Sequence, residues 1–222
     1  MTGYATTANL PRQTAGWLAQ IAPYNRHPMQ LDVEAAALLV IDMQDFFLDP
    51  QSPTFTCGGE PIIPNVKQLI EAFRARERPV IHTKHVHHPS GCDAGIMGWW
   101  WEGMCVEGSP ESEIHRELAP LPGEKVVCKH RYSAFYNTDL EVVLRGLGVR
   151  DLVVTGIMTN LCCESTARDA YFRDYRVFVP ADATGSVSEE LHVAGLMGLA
   201  FGFAYVTTAA GVLQQVAARA AP

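Results

Sequence analysis

Three side chains that are far apart in the sequence, Asp42, Lys129 and Cys162, have the types needed for nucleophilic hydrolysis. A carboxylate can take the proton of a thiol, and a lysine can keep that carboxylate ionised and oriented. Cys162 also comes at the predicted start of a helix, where the helix dipole favours the thiolate. Together the three groups predict that a cysteine attacks a carbonyl carbon.

Each of these side chains also has a structural interpretation when it is taken alone. An aspartate at a strand end often caps a helix, a lysine there is usually solvated, and a cysteine is usually a small buried apolar residue. The adjacent Cys163 is predicted to be such a core residue. The combination of the three groups favours the catalytic interpretation.

Short apolar runs that alternate with amphipathic stretches predict the elements that position these groups. The predicted strands are AALLVID (36–42), PVIHT (79–83), KVVCK (125–129), DLVVTG (151–156), RVFVPAD (176–182) and FAYVTT (203–208). The predicted helices cover 65–76, 138–147, 161–172, 188–200 and 211–220. This alternation predicts an α/β fold, a three-layer sandwich in which helices flank a six-stranded, mostly parallel sheet.

The predicted organisation is an N-terminal arm over residues 1–33, with a short helix near Trp17, followed by one domain over residues 34–222. Residues 89–122 fit neither a helix nor a strand period and are predicted to form an elaborated loop region. Asp42, Lys129 and Cys162 all fall at or just beyond the carboxyl ends of predicted strands. Because ligands of open parallel sheets bind there, the three side chains are expected to converge.

The composition excludes several classes of protein. The chain has 222 residues, 48% of them hydrophobic and 18% charged, which is typical of a globular domain and not of a disordered or fibrous chain. The net charge is -7 with no basic run, so neither nucleic acid nor a membrane is expected as a partner. No GxGxxG motif follows the first strand, which argues against a dinucleotide-binding enzyme.

The cysteines and the apolar runs bear on location. The six cysteines contain no CxxC pair, which argues against a disulfide scaffold and against a redox protein with a resolving cysteine. No apolar run is long enough to span a bilayer, and the N-terminus lacks the pattern of a secretory signal. A cytoplasmic location is therefore expected.

The sequence resembles the isochorismatase-like cysteine hydrolases, a superfamily that includes nicotinamidases, N-carbamoylsarcosine amidases and ureidoacrylate amidohydrolases. The resemblance is carried by ALLVIDMQDFF (37–47), CKHRYSAFYNTDL (128–140) and VVTGIMTNLCCESTARDAYFRDYRVFVPADAT (153–184). It implies a Rossmann-like fold, a homo-oligomer (dimer or tetramer) and a triad that maps to Asp42, Lys129 and Cys162. It also implies a cis peptide between Ile157 and Met158, and an oxyanion hole formed by the backbone N–H groups of Met158 and Cys162.

The activity expected from the triad and the resemblance is hydrolysis of a C–N bond in a small amide, carbamoyl or urea-type substrate. The reaction passes through a thioester and releases ammonia or an amine, without a cofactor. True isochorismatases resemble this fold but lack the cysteine, so Cys162 favours amide chemistry over cleavage of a vinyl ether. The alternatives are a nicotinamidase-like amidase and, in another class, a non-catalytic binding or assembly protein on the same scaffold.

Histidines 85, 87 and 88 are the candidate metal ligands. In the nicotinamidases that this sequence resembles, an Asp–x–His motif after the second strand contributes to a metal site. His85 stands where that aspartate would fall. The alternative is that these histidines line a pocket or are solvated. The prediction is that no metal binds.

Residues close to the predicted triad are the candidates for contacting the substrate. They are Phe47, His85, Trp99, Arg131, Tyr132 and Phe135. Arg131 and His85 indicate a polar or anionic end on the substrate. The run Trp99–Trp101 is expected to form a lid or stacking face, or else to pack under a loop or against another subunit.

Overall fold

The computed structural model describes residues 3–218. These residues form one sheet of seven parallel strands. The strands are β1 (Ala36–Ile41), β2 (Val80–His85), β3 (Lys125–Lys129), β4 (Asp151–Ile157), β5 (Arg176–Pro180), β6 (Thr184–Gly185) and β7 (Tyr205–Thr207). Their order is β3-β2-β1-β4-β5-β7, and β6 pairs with the end of β4. The six predicted strands are all present, and the two-residue β6 is additional.

The strand order reverses between β1 and β4. The chain runs outward from β1 to β2 and β3, and then returns to β4 on the other side of β1. Such a reversal opens a crevice at the carboxyl ends of the two central strands, where α/β proteins bind their ligands. The ends of β1 and β4 carry Asp42 and the turn to Cys162, so the topology brings these two positions together.

Helices cover both faces of the sheet. They are α1 (Leu10–Ile21), α2 (Asp45–Leu48), α3 (Ile63–Ala75), α4 (Ile96–Trp100), α5 (Leu140–Gly146), α6 (Glu164–Tyr171), α7 (Glu189–Gly202) and α8 (Ala209–Ala217). On one face Leu38 and Val40 of β1 pack in a cluster with residues of α1, α3 and α8. On the other face Leu39 and Ile41 pack with residues of α5, α6 and α7. Alternate residues of a strand thus serve two cores, and the predicted α/β sandwich is confirmed.

The segment before β1 packs on the same body. Trp17 of α1 is 1% exposed and lies edge-on to His192 of α7, with ring centroids 4.4 Å apart. Its indole N–H donates to the Glu189 carboxylate at 2.7 Å. Helix α1 therefore contributes to the core of its own chain, and the boundary at residue 33 stays a prediction.

Residues 89–122 contain little regular structure, as the sequence predicts. The segment holds the short helix α4 and two single turns of 3₁₀ helix, Pro110–Ser112 and Arg116–Leu118. Of the last predicted helix, residues 219 and 220 lie outside the described chain. No helix within residues 3–218 is long and apolar enough to cross a membrane.

Candidate functional site

Asp42 follows the last residue of the central strand β1 and is 1% exposed. Its φ of 49° is in the left-handed region, which a residue with a side chain adopts rarely and mostly at sites that constrain it. Thr83 of β2 donates its hydroxyl hydrogen to Asp42 Oδ1 at 2.5 Å, and the Asp42 N–H donates to Thr83 Oγ1 at 3.0 Å. The neighbouring strand thus fixes both the backbone and the carboxylate.

Lys129, at the end of β3, is fully buried and points at this carboxylate. Its Nζ lies 2.7 Å from Asp42 Oδ2, 3.3 Å from Cys162 Sγ and 3.0 Å from the carbonyl oxygen of Arg131. Burial lowers the pKa of Lys129, but its interactions with the Asp42 carboxylate and with the Cys162 sulfur outweigh burial and raise that pKa above its ordinary value. Burial of the lysine is therefore offset by the partners that favour its protonated form.

Cys162 lies in a π-helical turn, Thr159–Cys163, that leads from β4 into α6. The peptide bond between Ile157 and Met158 at the start of this turn is cis. Sγ of Cys162, a carboxylate oxygen of Asp42 and a ring nitrogen of His85 lie within 4.8 Å of one another. The three predicted catalytic side chains are thus brought together although 120 residues separate the first from the last.

Burial of Cys162 favours its thiol form over the thiolate. Burial raises its pKa, the charge of Asp42 adds to this, and Lys129 only partly opposes it, so that the pKa is about 12. The helix-dipole argument from the sequence predicts a lowered pKa, and burial acts in the opposite direction because the side chain is only 7% exposed. The proton must leave as the sulfur attacks.

A close approach of the two central strands sets the spacing of the acid and the thiol. Gly156 in β4 has a φ of +103°, and a Cβ added there would lie 2.1 Å from the carbonyl oxygen of Ile41. Only glycine has both the conformation and the space at this position. Gly156 pairs with Ile41, the residue before Asp42, and the turn that carries Cys162 begins a few residues after Gly156.

A row of histidines continues the site on the side of β2. His85 Nδ1 lies 3.2 Å from Lys129 Nζ, and His85 Nε2 lies 3.2 Å from His87 Nε2. His87 Nδ1 lies 3.2 Å from Asp93 Oδ1. Burial lowers the pKa of His85 well below its ordinary value and also lowers that of His87, so both rings are neutral.

Histidines 85, 87 and 88 do not converge on one point, because His88 turns to Ser90, with Nδ1 2.8 Å from Oγ. A different group, His87, Asp93 and His130, has ligand-type atoms within 4.8 Å of one another. Its hydrogen bonds are internal to the protein: His130 Nδ1 is 2.6 Å from the carbonyl oxygen of Val86, which requires a proton on that nitrogen. The donor set therefore supports hydrogen bonding, and the prediction that no metal binds is left untested.

A cavity opens over Cys162 and is walled mainly by apolar and aromatic side chains. Its lining residues are Asp42, Phe46, Phe47, Thr54, His85, His87, Met97, Trp101, Gly103, Met104, Cys105, Tyr132, Ile157, Met158, Leu161 and Cys162. Of the residues predicted to contact the substrate, Phe47, His85 and Tyr132 line this cavity. Segment 89–122 supplies a large part of the wall.

Trp99, Arg131 and Phe135, which are also predicted to contact the substrate, do not line the cavity. Trp99 is 74% exposed and stacks near Trp100. The Arg131 guanidinium donates to the carbonyl oxygens of Asp93 and His130. Phe135 is 5% exposed in the core under α5 and α6. These three assignments stay predictions that the lining of this cavity does not support, because proximity in sequence to the triad does not determine which way a loop side chain turns.

Two buried residues near the triad carry no assignment from the sequence. Thr83 binds Asp42 as described, and Gln44, which is fully buried, accepts a hydrogen bond from the His85 N–H at 2.7 Å and donates to the Ser112 carbonyl oxygen at 3.0 Å. Gln44 thus joins β1, β2 and segment 89–122. The signal available in the sequence was its position at the end of VIDMQ, a polar residue three positions after the last residue of a buried strand.

Trp101 belongs to the run Trp99–Trp101, for which the sequence predicts a lid or stacking face or else packing under a loop or against another subunit. Its indole N–H donates to the Tyr132 hydroxyl at 3.0 Å, and both residues line the cavity. Trp101 is the residue that follows the last residue of α4, and of the three tryptophans in the run it is the one that lines the cavity.

Comparison with known proteins places this geometry in a class. The model of the isochorismatase domain matches residues 36–211. The chain is 44% identical over 174 residues to nicotinamidase 3 of Arabidopsis thaliana, which covers 77% of this chain and 83% of that protein. It is 33% identical over 213 residues to the ureidoacrylate amidohydrolase RutB of Methylobacterium radiotolerans, which covers 86% of this chain and 83% of that one.

Solved structures agree with the sequence relatives. A cysteine hydrolase from Pseudomonas syringae pv. phaseolicola superposes with a TM-score of 0.81 at 30% identity, over 86% of this chain and 98% of that one. An N-carbamoylsarcosine amidase from Thermoplasma acidophilum superposes with a TM-score of 0.67 at 30% identity, over 78% and 96%. The fold and the comparisons define a cysteine hydrolase of the amidohydrolase type. The chain belongs to the isochorismatase family.

Proposed function

We propose that the protein hydrolyses a primary carboxamide attached to a flat, uncharged acyl group and releases ammonia. The observation that carries this proposal is the cavity over Cys162, whose lining among the described residues includes aromatic and apolar side chains but no arginine or lysine. A carboxylate on the substrate would find no cation there, whereas an aromatic ring would find several apolar faces. Nicotinamide is such a compound, and a relative 44% identical to this chain is named a nicotinamidase.

The proposed reaction begins with attack of Cys162 on the amide carbonyl. Asp42 accepts the thiol proton as the C–S bond forms, because the high pKa of the thiol leaves little thiolate beforehand. The backbone N–H groups of Met158 and Cys162 are assigned to the oxyanion, an interaction typically worth about 3 kcal/mol in such sites. Lys129 holds the carboxylate in place through the 2.7 Å ion pair.

The second half of the proposed reaction restores the thiol. Asp42 gives its proton to the leaving nitrogen, the C–N bond breaks, and ammonia departs from a thioester on Cys162. Asp42 then takes a proton from water as the water attacks the thioester. The C–S bond breaks, the sulfur regains a proton from Asp42, and the carboxylic acid product leaves.

A ureido or carbamoyl compound is the second candidate substrate. The relative named ureidoacrylate amidohydrolase matches a larger share of this chain than the nicotinamidase does, 86% against 77%. His85, His87, Thr54 and Tyr132 offer hydrogen bonds along the cavity that a neutral urea would use. The lack of a cation in the lining argues against ureidoacrylate itself, which carries a carboxylate.

The test is ammonia release from nicotinamide, benzamide, ureidoacrylate, N-carbamoylsarcosine, biuret and triuret, with Cys162→Ala as the control. We expect the largest kcat/KM for nicotinamide or benzamide and none in the control. A preference for an anionic ureido compound by more than tenfold would contradict the proposed substrate class. Release that persists in Cys162→Ala would contradict the mechanism.

We also propose a cytoplasmic homo-oligomer. All six cysteines are free thiols, which suits a reducing compartment. Large apolar side chains are exposed on α4 and directly after α6, among them Trp99, Trp100 and Phe172, and such residues are typical of subunit contacts. Light scattering during gel filtration would give the mass, and a monomer at micromolar concentration would contradict this proposal.

A further inference from the structure

The turn that carries Cys162 begins with two residues whose side chains are held from outside the turn. Thr159 Oγ1 lies 2.8 Å from Nδ1 of His192 in α7, and both residues are fully buried. Asn160 Oδ1 accepts a hydrogen bond at 2.5 Å from the hydroxyl of Ser186. None of these four residues lines the cavity over Cys162, so their contacts act on the turn and not on a substrate.

The backbone of this turn is an irregular piece of helix. The N–H groups of Leu161 and Cys163 both donate to the carbonyl oxygen of Met158 at 3.1 Å, and the bond that spans five residues makes the turn π-helical. Such turns are rare and often occur at functional sites. Thr159 stands between Met158 and Cys162, the two residues assigned to the oxyanion. A shift of Thr159 would therefore move the assigned N–H donors relative to the sulfur.

Helix α7 also lies directly against the backbone of the turn. A Cβ added at Gly195 would be 3.0 Å from Cα of Asn160 and 3.2 Å from its backbone nitrogen, which is closer than ordinary van der Waals contact. Glycine at this position lets the helix approach the turn, and His192 precedes it by one helical turn on the same face. Close backbone contact thus sets the spacing, and His192 adds a directional contact.

His192 is a costly residue for the place that it occupies. Its ring lies edge-on to Trp17, with centroids 4.4 Å apart, and is fully buried. Burial lowers its pKa to about 3, and the backbone of Ala181 opposes this only in part, so the ring is neutral at physiological pH. An apolar side chain would fill the same space without the loss of hydration. What it could not provide is the hydrogen bond to Thr159, which has a preferred direction.

We propose that His192 is a positioning residue that fixes Thr159 and, through the turn, the Met158 and Cys162 N–H groups. Because His192 does not line the cavity, its effect on the reaction passes through its hydrogen bond to Thr159. The expected consequence is a kcat that depends on this bond and a KM that does not, since most of the cavity wall lies outside the turn. The inference rests on Cys162 being the nucleophile of the proposed function.

The first measurement is the rate at which p-nitrophenyl acetate acylates Cys162. The sulfur bonds to the acetyl carbon as Asp42 takes the thiol proton, the ester C–O bond breaks, and p-nitrophenolate leaves. Its release gives the rate, and peptide mapping assigns the acetyl group to Cys162. Thr159→Val removes the hydroxyl and should slow acylation about tenfold. Thr159→Ser keeps the hydroxyl and should stay within about threefold of the wild type.

A double variant tests whether His192 acts through Thr159. His192→Leu should also slow acylation about tenfold, and adding Thr159→Val should cost nothing more, because both changes remove one contact. On the best amide of the panel, kcat should fall by the same factor while KM stays within about twofold. Thr14→Val is the matched control, since the buried Thr14 hydroxyl donates to the Leu10 carbonyl oxygen within α1 and should leave both constants unchanged.

Three results would overturn the inference: wild-type acylation in Thr159→Val, an equal loss in Thr159→Ser, or losses that multiply in the double variant. If His192→Leu does not fold, the two Thr159 variants decide. Acylation needs no amide, so a panel without ammonia release, in an enzyme that is acylated at Cys162, contradicts the proposed function alone. A wild type that is not acylated at Cys162 would remove the nucleophile, and the inference with it.

Discussion

The switch-point edge of the sheet and segment 89–122 build the two sides of the same cavity in different ways. At the edge, Asp42, Lys129 and Thr83 are buried and linked to one another by short contacts. In the segment, Trp99 and Trp100 are exposed and Trp101 is held by one hydrogen bond. The edge fixes reacting groups, and the segment supplies a surface. We expect changes at the edge to affect kcat and folding, and changes in the segment to affect KM.

The largest effect is expected for Cys162→Ser. The hydroxyl is a much weaker nucleophile at this position, so kcat should fall by about 10⁴-fold or more with little change in stability. Ammonia release in single-turnover conditions measures it, and Cys163→Ser is the matched control because that neighbour faces the core and hydrogen-bonds the Thr155 carbonyl oxygen. A Cys162→Ser variant with more than a tenth of wild-type kcat would mean that the thiol does not react.

Lys129→Met should have the next largest effect, and on folding as well as turnover. It leaves Asp42 as an unpaired buried carboxylate, which should cost about 3–5 kcal/mol in the free energy of unfolding. Lys125→Met on the same strand is the control, because Lys125 is 35% exposed and pairs with the exposed Asp139, a contact worth at most about 1 kcal/mol. Urea titrations compare the two, and equal losses would show that burial of the pair is not what matters.

A fall in pH should lower the free energy of unfolding through His82, a buried residue of the sheet. Burial lowers the pKa of His82 on β2 to about 4, against an ordinary value of 6.5, although Glu124 partly opposes this. The unfolded chain therefore binds the proton first, so stability is present above pH 6.5 and falls as the pH drops toward 4. The loss should approach about 3 kcal/mol, and His82→Leu should remove that part of the pH dependence. Urea titrations at several pH values measure it, and an unchanged slope in the variant would contradict the assignment to His82.

The smallest effect is expected in the segment. Trp101→Ala removes a wall of the cavity and the donor to the Tyr132 hydroxyl, so KM should rise about fivefold while kcat changes little. Trp99→Ala removes an exposed ring that does not line the cavity and should leave both constants unchanged. Steady-state kinetics on the best substrate of the panel measures both variants. A fall in kcat for Trp101→Ala comparable to that for Lys129→Met would remove the distinction between the two regions.

The sequence predicts the edge better than the segment for a physical reason. Short, continuous apolar runs favour strands buried on both faces. Six strands and the polar residues that end them are predicted from this pattern, and the α/β fold is confirmed. The short β6 has no such pattern, since its two residues pair only because β4 ends beside them. Asp42, Lys129 and Cys162 converge because the carboxyl ends of parallel strands meet.

Side chains in loops follow no such rule. Phe135 and Tyr132 stand three residues apart after β3, yet one lies in the core and the other lines the cavity. The Arg131 guanidinium donates hydrogen bonds to two carbonyl oxygens, and nothing in its sequence context predicts these contacts. The prediction of a polar or anionic end on the substrate was based on Arg131 and His85, and of these two only His85 lines the cavity. The contacts that orient these residues come from segment 89–122, whose path has no periodic signal.

The close approach at Gly156 has a consequence for how this protein can change over evolutionary time. A residue with no functional group keeps β1 and β4 near enough for a carboxylate and a thiol on different strands to meet, since any side chain there would strike the Ile41 carbonyl oxygen. Side chains along segment 89–122 can be exchanged without moving a strand, and such exchanges would alter the wall of the cavity. Any side chain at position 156 would instead push β1 and β4 apart. A lineage that lost this glycine would have to move a strand before it could keep the reaction.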